Sequence, residues 1–249
     1  MCYKRILAIG DIHGMFDKLT ALMEQVRFNP AEDLLIFLGD YIDRGPQSLE
    51  CLNYVMRLQE RYPERVVCLK GNHEAMCINY YWFREDILDF LMNGDNLRTA
   101  FIWTGNGGDK TKKQFMKLSK PELQKYLHWM RGLLNHYQAE GFYFCHAGIA
   151  PEIPLEKQRK QDLLWIREEF IEGYDGRHGS IVIGHTPVQL FRYRYWQEEE
   201  PPTVPQFLEN QVIMCDTGAY LDGVKLSGSR VLTGKLSCVD VLNRKVYQA

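Results

Sequence analysis

Five short apolar runs, each ending on a residue that can bind a metal, constrain this chain more than any other feature. Ile6-Leu-Ala-Ile9 leads into Gly10-Asp11-Ile12-His13-Gly14, and Leu34-Leu-Ile-Phe-Leu38 into Gly39-Asp40-Tyr41-Ile42-Asp43-Arg44-Gly45. Val66-Val-Cys-Leu69 leads into Lys70-Gly71-Asn72-His73-Glu74, Phe142-Tyr-Phe-Cys145 into His146-Ala147-Gly148, and Ile181-Val-Ile183 into Gly184-His185-Thr186. One such run says little, because any buried strand reads as an apolar stretch followed by a polar turn. Five in order predict a site. Buried strands of α/β sheets are near-continuous Val/Ile/Leu runs, and ligands sit beyond their carboxyl ends. Asp11, His13, Asp40, Asn72, His146 and His185 are therefore expected to meet in space. A glycine immediately precedes the ligand candidate in four runs, at Gly10, Gly39, Gly71 and Gly184, as a sharp turn or close backbone approach requires.

At 249 residues the chain fits one large domain, 1–249, with no second domain required. A net charge of -2 gives no general attraction to nucleic acid or anionic membrane, so any anion-binding surface is local. Neither partner is expected. The cysteine count is odd, seven, with no C-x-x-C pair. Cys68, Cys145 and Cys215 lie inside apolar runs as small hydrophobes, which fits a reducing cytosol. Met1 to Ile6 passes straight into the first strand, so no signal peptide is expected, and no apolar stretch approaches the roughly 18 residues of a membrane span. A cytoplasmic protein is the expectation.

Apolar residues at helical spacing over 17–26 and 46–59 give a strand-turn-helix-strand, βαβ, reading of the first third. The interval from Glu74 to about His136 shows no strand pattern and is rich in aromatics, Met and Leu at helical spacings. It is predicted to be a helical insertion over the site, about 75–137, broken at Gly105-Asn-Gly-Gly108 and restarted by an N-cap at Ser119 with Pro121 in the first turn. Its aromatics, including Tyr80, Tyr81, Trp82, Phe83 and Trp103, are expected to pack core and cap. Phe191-Arg-Tyr-Arg-Tyr-Trp196 reads as an edge strand whose Arg192 and Arg194 are solvated, and 197–205 as a loop. Three late strands are expected at 212–215, around 236–241 and at 245–247, forming part of a second sheet packed on the first. His128, His136 and His178 have no strand-end context and are read as structural. Glu74 is expected to cap or orient the helix that follows it.

Two carboxylates, three imidazoles and one amide are too hard and too polar a set for a structural Zn site. They suit two divalent ions sharing one bridging carboxylate, an arrangement that clamps the attacking and leaving oxygens of an in-line displacement and lowers the pKa of bound water toward about 7. Mn²⁺ is the preferred ion for this N/O set, with Fe and Zn as the other candidates.

The blocks Gly-Asp-Ile-His-Gly at 10–14, Gly-Asp-Tyr-Ile-Asp-Arg-Gly at 39–45 and Gly-Asn-His-Glu at 71–74 resemble the signature blocks of the phosphoprotein phosphatase family of metallophosphoesterases. His146-Ala-Gly and Gly-His185-Thr resemble the later metal-ligand blocks of its bacterial and phage branch, so the resemblance spans nearly the whole chain. It implies a calcineurin-like α/β fold, two mixed β-sheets packed as a sandwich and flanked by helices. It further implies that Asp11 and His13 hold one metal, that Asp40 bridges, and that Asn72, His146 and His185 hold the second. His73 is then the general acid, Asp43 orients its imidazole, and Arg44 and Arg167 contact phosphate oxygens. Eukaryotic members commonly have Arg where this chain has Lys70, and Gly-Gly where it has Ala147-Gly148. The segment from Asp216 to Ala219 does not match the eukaryotic loop that carries a substrate-side Tyr, so Tyr220 is left unassigned.

The implied activity is hydrolysis of phosphomonoesters by direct attack of metal-activated hydroxide, first as a serine/threonine protein phosphatase, with dual specificity including phosphotyrosine as an extension. Symmetrical diadenosine tetraphosphate hydrolysis is the alternative, so the expected partner is a phosphorylated protein or peptide or a dinucleoside polyphosphate. An inactive phosphoprotein-binding module is the alternative of another class.

Overall fold

The computed structural model describes residues 3–85, 102–191, 202–225 and 231–249. The apolar runs become strands that use both faces. In β1 (Arg5–Ile9) and β2 (Asp33–Phe37), Ile6, Ala8, Leu34 and Ile36 point one way, while Leu7, Ile9, Leu35 and Phe37 point the other, the period-two alternation of a strand. Two five-stranded sheets result. The first has the order β10-β9-β1-β2-β3, with β3 at Val66–Cys68, β9 at Ser237–Asp240 and β10 at Lys245–Gln248. The second has the order β4-β5-β6-β8-β7, with β4 at His136–Ala139, β5 at Phe142–Cys145, β6 at Ser180–Ile183, β7 at Gln206–Phe207 and β8 at Val212–Met214. β1, β2 and β3 run parallel, as do β5, β6 and β8, and the antiparallel members lie outside them in each sheet.

Between the sheets lies a core to which both contribute. Ile6, Ala8, Leu34, Ile36, Val67 and Val239 come from the first sheet and Phe144, Val182 and Ile213 from the second. The other face of the first sheet is covered by α1 (Phe16–Val26), α2 (Ser48–Arg61), α3 (Asn72–Glu85), α4 (Asp109–Phe115) and α5 (Lys120–Gly132). That of the second sheet is covered by α6 (Lys160–Trp165), α7 (Glu168–Gly173) and α8 (Val188–Phe191). This is the two-sheet α/β sandwich that the resemblance implies, with one correction: of the three late strands expected in the second sheet only β8 lies there, whereas β9 and β10 pair onto β1 and complete the first.

The described parts of the 75–137 interval are mainly helical as far as Gly132, but β4 begins at His136, inside the expected bound; α5 begins as expected, the Glu122 carboxylate accepting from the Ser119 N–H at 2.8 Å and from its hydroxyl at 2.6 Å. The predicted break at 105–108 is a single wide helical turn, Thr104–Gly108, in which Asn106 and Gly107 leave helical geometry and Gly107 has φ +97°. Two strands escape the sequence reading. β4 has alternately exposed residues and pairs antiparallel with β5, and the two-residue β7 pairs with β8, both too polar or too short for an apolar-run signal. Arg192, Arg194 and the edge strand expected at 191–196 lie outside the described residues apart from Phe191, as do the side chains of Trp82 and Phe83. No helix among the described residues is long and apolar enough to cross a membrane.

Ile36 is fully buried between the sheets. Ile36→Ala is expected to lower unfolding stability by about 2–5 kcal/mol, read as a shifted urea midpoint at unchanged m-value.

Candidate metal centre

Each parallel strand delivers a polar side chain at its carboxyl end. Asp11 and His13 follow β1, Asp40 follows β2, Asn72 and His73 open α3 after β3, His146 follows β5 and His185 follows β6. All seven are buried; His13, Asp40, Asn72, His73 and His185 line a cavity of about 310 Å³, and Asp11 and His146 contact that lining through His185 and Asn72. Asp40 is central: its Oδ2 lies 3.5 Å from His13 Nε2, 3.5 Å from His146 Nε2 and 3.9 Å from His73 Nε2. Donor atoms of His13, Asp40 and His73 lie within 4.8 Å of one another, and so do those of Asp40, His146 and His185. Asp11 joins from the side, its Oδ2 3.9 Å from His13 Nε2 and its carboxylate accepting the His185 N–H at 3.0 and 3.1 Å.

Backbone carbonyls set the imidazole tautomers. His13 Nδ1 lies 3.0 Å from the Ile42 carbonyl and His146 Nδ1 2.9 Å from that of Leu38, and a carbonyl only accepts, so both Nδ1 atoms carry hydrogen. Both Nε2 lone pairs are thereby aimed inward. The Nε2 of His146 lies 2.9 Å from Asn72 Oδ1, which is also 3.0 Å from His185 Nδ1. Among the described residues His185 Nε2 is buried without a partner.

Burial drives His13 and His185 well below the usual histidine range, leaving them neutral. Burial, then the charge of Asp216, pushes the Asp11 carboxyl well up. Burial followed by Asp40 pushes Glu74 up to about 7. Burial alone would also raise Asp40, but His146, His73 and His13 outweigh it and hold it well below the carboxylate range. Burial alone would lower His146, but Asp40 outweighs it and lifts it to about 9, so it carries the positive charge that a cation would replace; three inward-facing imidazoles, an amide oxygen and crowded carboxylates form a set that divalent cations satisfy. The donor set fits the metal its pattern implies.

The backbone is bent to make this possible. Of the nine non-glycine residues with positive φ among those described, five belong to the site: His13, Asp40, Asp43, Arg44 and His185. Two glycines serve close approach instead. A Cβ at Gly71 would strike the Asp40 carboxylate, and one at Gly184 the Asp11 carboxylate. Glu74 reaches back from the first turn of α3 to accept from Gly71 N–H, as an N-terminal cap does, and also from Asp40 and Tyr41 N–H, each at 2.9 Å. It thus holds the Asp40 turn as well as the helix.

Beside the cluster, His73 Nδ1 lies 2.7 Å from Asp43 Oδ2, and its Nε2 faces the cavity 3.5 Å from Arg44 Nη2. Arg44 lines the cavity with its Nε buried and unpartnered among the described residues. Arg167, at the start of α7, lines it too and donates from Nη1 to the His185 carbonyl at 3.2 Å and to Thr186 Oγ1 at 3.0 Å. All ten site candidates are thus in or against one cavity; His128, His136 and His178 do not line it.

Three lining residues were missed. Asp216 follows β8 just as the ligand candidates follow their strands, and its Oδ2 is buried without a partner among the described residues. The strand-end signal was present at Val212-Ile-Met-Cys215, but no glycine precedes the acid. Tyr220 packs its ring 4.9 Å from that of His13, under the Arg44 guanidinium at 4.2 Å. Trp165 ends α6 half-buried in the wall near His185, and nothing in its spacing marks it.

Residues 4–215 match the calcineurin-like phosphoesterase family profile. The chain belongs to that family. The family is one of metallophosphoesterases, which implies divalent metal ions at the buried ligand groups described above. The symmetrical bis(5'-nucleosyl)-tetraphosphatase of Pseudomonas syringae pv. tomato is 34% identical over 158 residues, covering 63% of this chain and 44% of that protein. The chain thus spans less than half the length of this curated relative. Serine/threonine-protein phosphatase 1 of Salmonella typhimurium is 31% identical over 192 residues, 75% of this chain and 81% of that one. In fold, a protein serine/threonine phosphatase from Saccharomyces cerevisiae superposes with a TM-score of 0.61 at 16% identity, covering 95% of this chain and 72% of the other.

Asp40→Asn is expected to abolish stabilisation by divalent ions. In the unsubstituted protein an ion at a hundred times its Kd adds about 2.7 kcal/mol, so a thermal melt with and without Mn²⁺ separates the two proteins.

Proposed function

We propose that this metallophosphoesterase hydrolyses the phosphoanhydride of a dinucleoside tetraphosphate, with residues 1–249 working as one unit. The observation that carries this reading is the composition of the cavity wall. Arg44 and Arg167 flank the metal cluster, and next to them lie half-buried Trp165 and the apolar side chains of Pro187, Leu190 and Phe191. An anion-binding floor beside an aromatic wall suits a phosphate chain whose base stacks on a π-face. Similarity to symmetrical tetraphosphatases supports it. The phosphoserine and phosphothreonine reading that the motifs first suggest is supported by the Salmonella phosphatase, which the chain matches over 81% of its length.

Asp11 and His13 would hold one ion, Asn72, His146 and His185 a second, and Asp40 would bridge. When bound, the ions supply neutralisation of the phosphoryl oxygens and acidification of water. The planar guanidinium of Arg44 pairs with two phosphoryl oxygens, and that of Arg167 fixes the phosphoryl group from the opposite wall. As water attacks phosphorus in line, the bond to the leaving oxygen breaks and that oxygen takes a proton from His73 Nε2. Asp43, at Nδ1, holds the ring in register and stabilises its protonated form.

Phosphate or nucleotide release by Mn²⁺-loaded protein, measured on diadenosine tetraphosphate beside phosphoserine, phosphothreonine and phosphotyrosine peptides, is expected to favour the dinucleotide in kcat/KM. Preference for the peptides would transfer the function to protein dephosphorylation with the same residues in the same roles. Replacement of His73 by Asn is expected to lower kcat by about 10²- to 10⁴-fold on the preferred substrate.

A further inference from the structure

Asp43 holds the proposed proton donor through one oxygen only. Its Oδ2 accepts from His73 Nδ1 at 2.7 Å, while its Oδ1 is buried without a partner among the described residues. A carboxylate attached through a single oxygen turns readily about its terminal torsion and can offer either oxygen to the ring. A second donor is present. The indole Nε1–H of Trp103, a fully buried residue of the helical insertion, donates to the same Oδ2 at 2.7 Å. Two donors converging from different directions leave the carboxylate one orientation.

The surrounding insertion grips the same pair of residues through their backbone. Thr111 Oγ1 accepts the Asp43 N–H at 2.9 Å and is itself hydrogen-bonded to Ser48 Oγ at 2.9 Å. The Gly107 carbonyl accepts the Arg44 N–H at 3.1 Å, and Lys110 Nζ donates to the Arg44 carbonyl at 2.6 Å. Asp43 and Arg44 stand consecutively in the left-handed region, at φ 73° and 64°, a conformation costly for both side chains and kept only where neighbours over-determine it. Trp103 is held in turn by Tyr80, with ring centroids 4.9 Å apart, and by Gly108, where an added Cβ would lie 2.5 Å from the indole nitrogen.

We infer that residues 103–111 form a clamp that sets the proton-donor relay, and that Trp103 is a positioning residue acting on His73 through Asp43. The inference rests on the reading of His73 as the donor to the leaving oxygen. It assigns the insertion a part in catalysis distinct from covering the cavity: without the indole N–H the Asp43 carboxylate loses its fixed orientation and the imidazole its aim.

The test compares Trp103→Phe, which keeps an aromatic ring but removes the indole N–H along with part of the bicyclic ring, with Gly108→Ala and His73→Asn, on aryl phosphates of differing leaving-group basicity. When the P–O bond breaks, dinitrophenolate departs without protonation, whereas the far more basic phenolate requires a proton from a general acid. Trp103→Phe and Gly108→Ala are each expected to lower kcat on phenyl phosphate on the order of 10-fold, part of what a general acid contributes, with KM and the rate on dinitrophenyl phosphate essentially unchanged. His73→Asn should show the same pattern more strongly; if it loses both esters equally, the donor reading fails. If His73→Asn shows the pattern and Trp103→Phe does not, the clamp fails and the donor reading stands. A readout independent of turnover is the His73 Nδ1–H proton resonance in histidine-labelled protein, absent from His73→Asn. It should shift in Trp103→Phe, as Asp43 loses a competing donor, and an unmoved resonance overturns the inference.

Discussion

The Oδ2 atom of Asp40 lies 3.5 Å from His13 Nε2, 3.5 Å from His146 Nε2 and 3.9 Å from His73 Nε2, so imidazoles from three strand ends converge on one oxygen. That convergence joins the two sheets at their rims, because His13 and His73 come from the first sheet and His146 from the second. Asp40 can occupy the position only with a left-handed backbone and with a glycine opposite it at 71, where any side chain would displace the carboxylate. Glu74 then fixes the turn by taking the backbone N–H groups of Asp40, Tyr41 and Gly71. Burying that glutamate is unfavourable, and its carboxyl is pushed up to about 7. The compensation is three backbone donors satisfied in a place water does not reach.

Much of this was legible because strand ends leave a simple mark: an apolar run, a glycine, then a ligand. Asp11, Asp40, Asn72 and His185 carry the full mark, and His146 most of it. Asp216 carries the run without the glycine, which is why it escaped although β8 lies beside β6 in the same parallel set. Trp165, Tyr220 and Trp103 reach the cavity or its relay from helices and loops. There the side chain's direction depends on how the element docks, and spacing along the chain does not encode docking. The strands missed, β4 and β7, owe their pairing to neighbours that supply the ladder. The Gly105–Gly108 break was visible, but its purpose was not, since Gly107 offers its carbonyl to Arg44 and Gly108 makes room for an indole.

The two substrate readings differ in what surrounds a shared centre. In both readings the candidate metal ligands, His73 and Arg44 are proposed to deal with a phosphoryl group and its leaving oxygen, whatever the rest of the molecule. Leu190 and Phe191 belong to a helix that packs on the second sheet, while Trp165 ends a second-sheet helix and packs its ring against the core of the first sheet and the insertion. On the proposed reading, the apolar wall for the substrate and the donor pair Asp43-His73 are supplied by different elements, helices after β5 and β6 for the one and the turn after β2 with α3 for the other.

Backbone strain follows the same division. His13, Asp40, Asp43, Arg44 and His185 each sit in a conformation that costs a non-glycine residue on the order of 1–3 kcal/mol, and each is tied at the backbone nitrogen to another part of the fold. His13 N–H goes to the Asp40 carbonyl, Asp40 N–H to Glu74, Asp43 N–H to Thr111, Arg44 N–H to Gly107 and His185 N–H to Asp11. Three of these ties are closed by the residues that surround the ligands, and two by the insertion. The strained turns carrying metal-ligand candidates are thus stabilised within the site itself. The Asp43-Arg44 turn, which carries the proposed relay carboxylate and the proposed phosphate-binding arginine, is held by a segment some sixty residues later in the chain, so its conformation is a property of tertiary packing and not of the turn's own sequence.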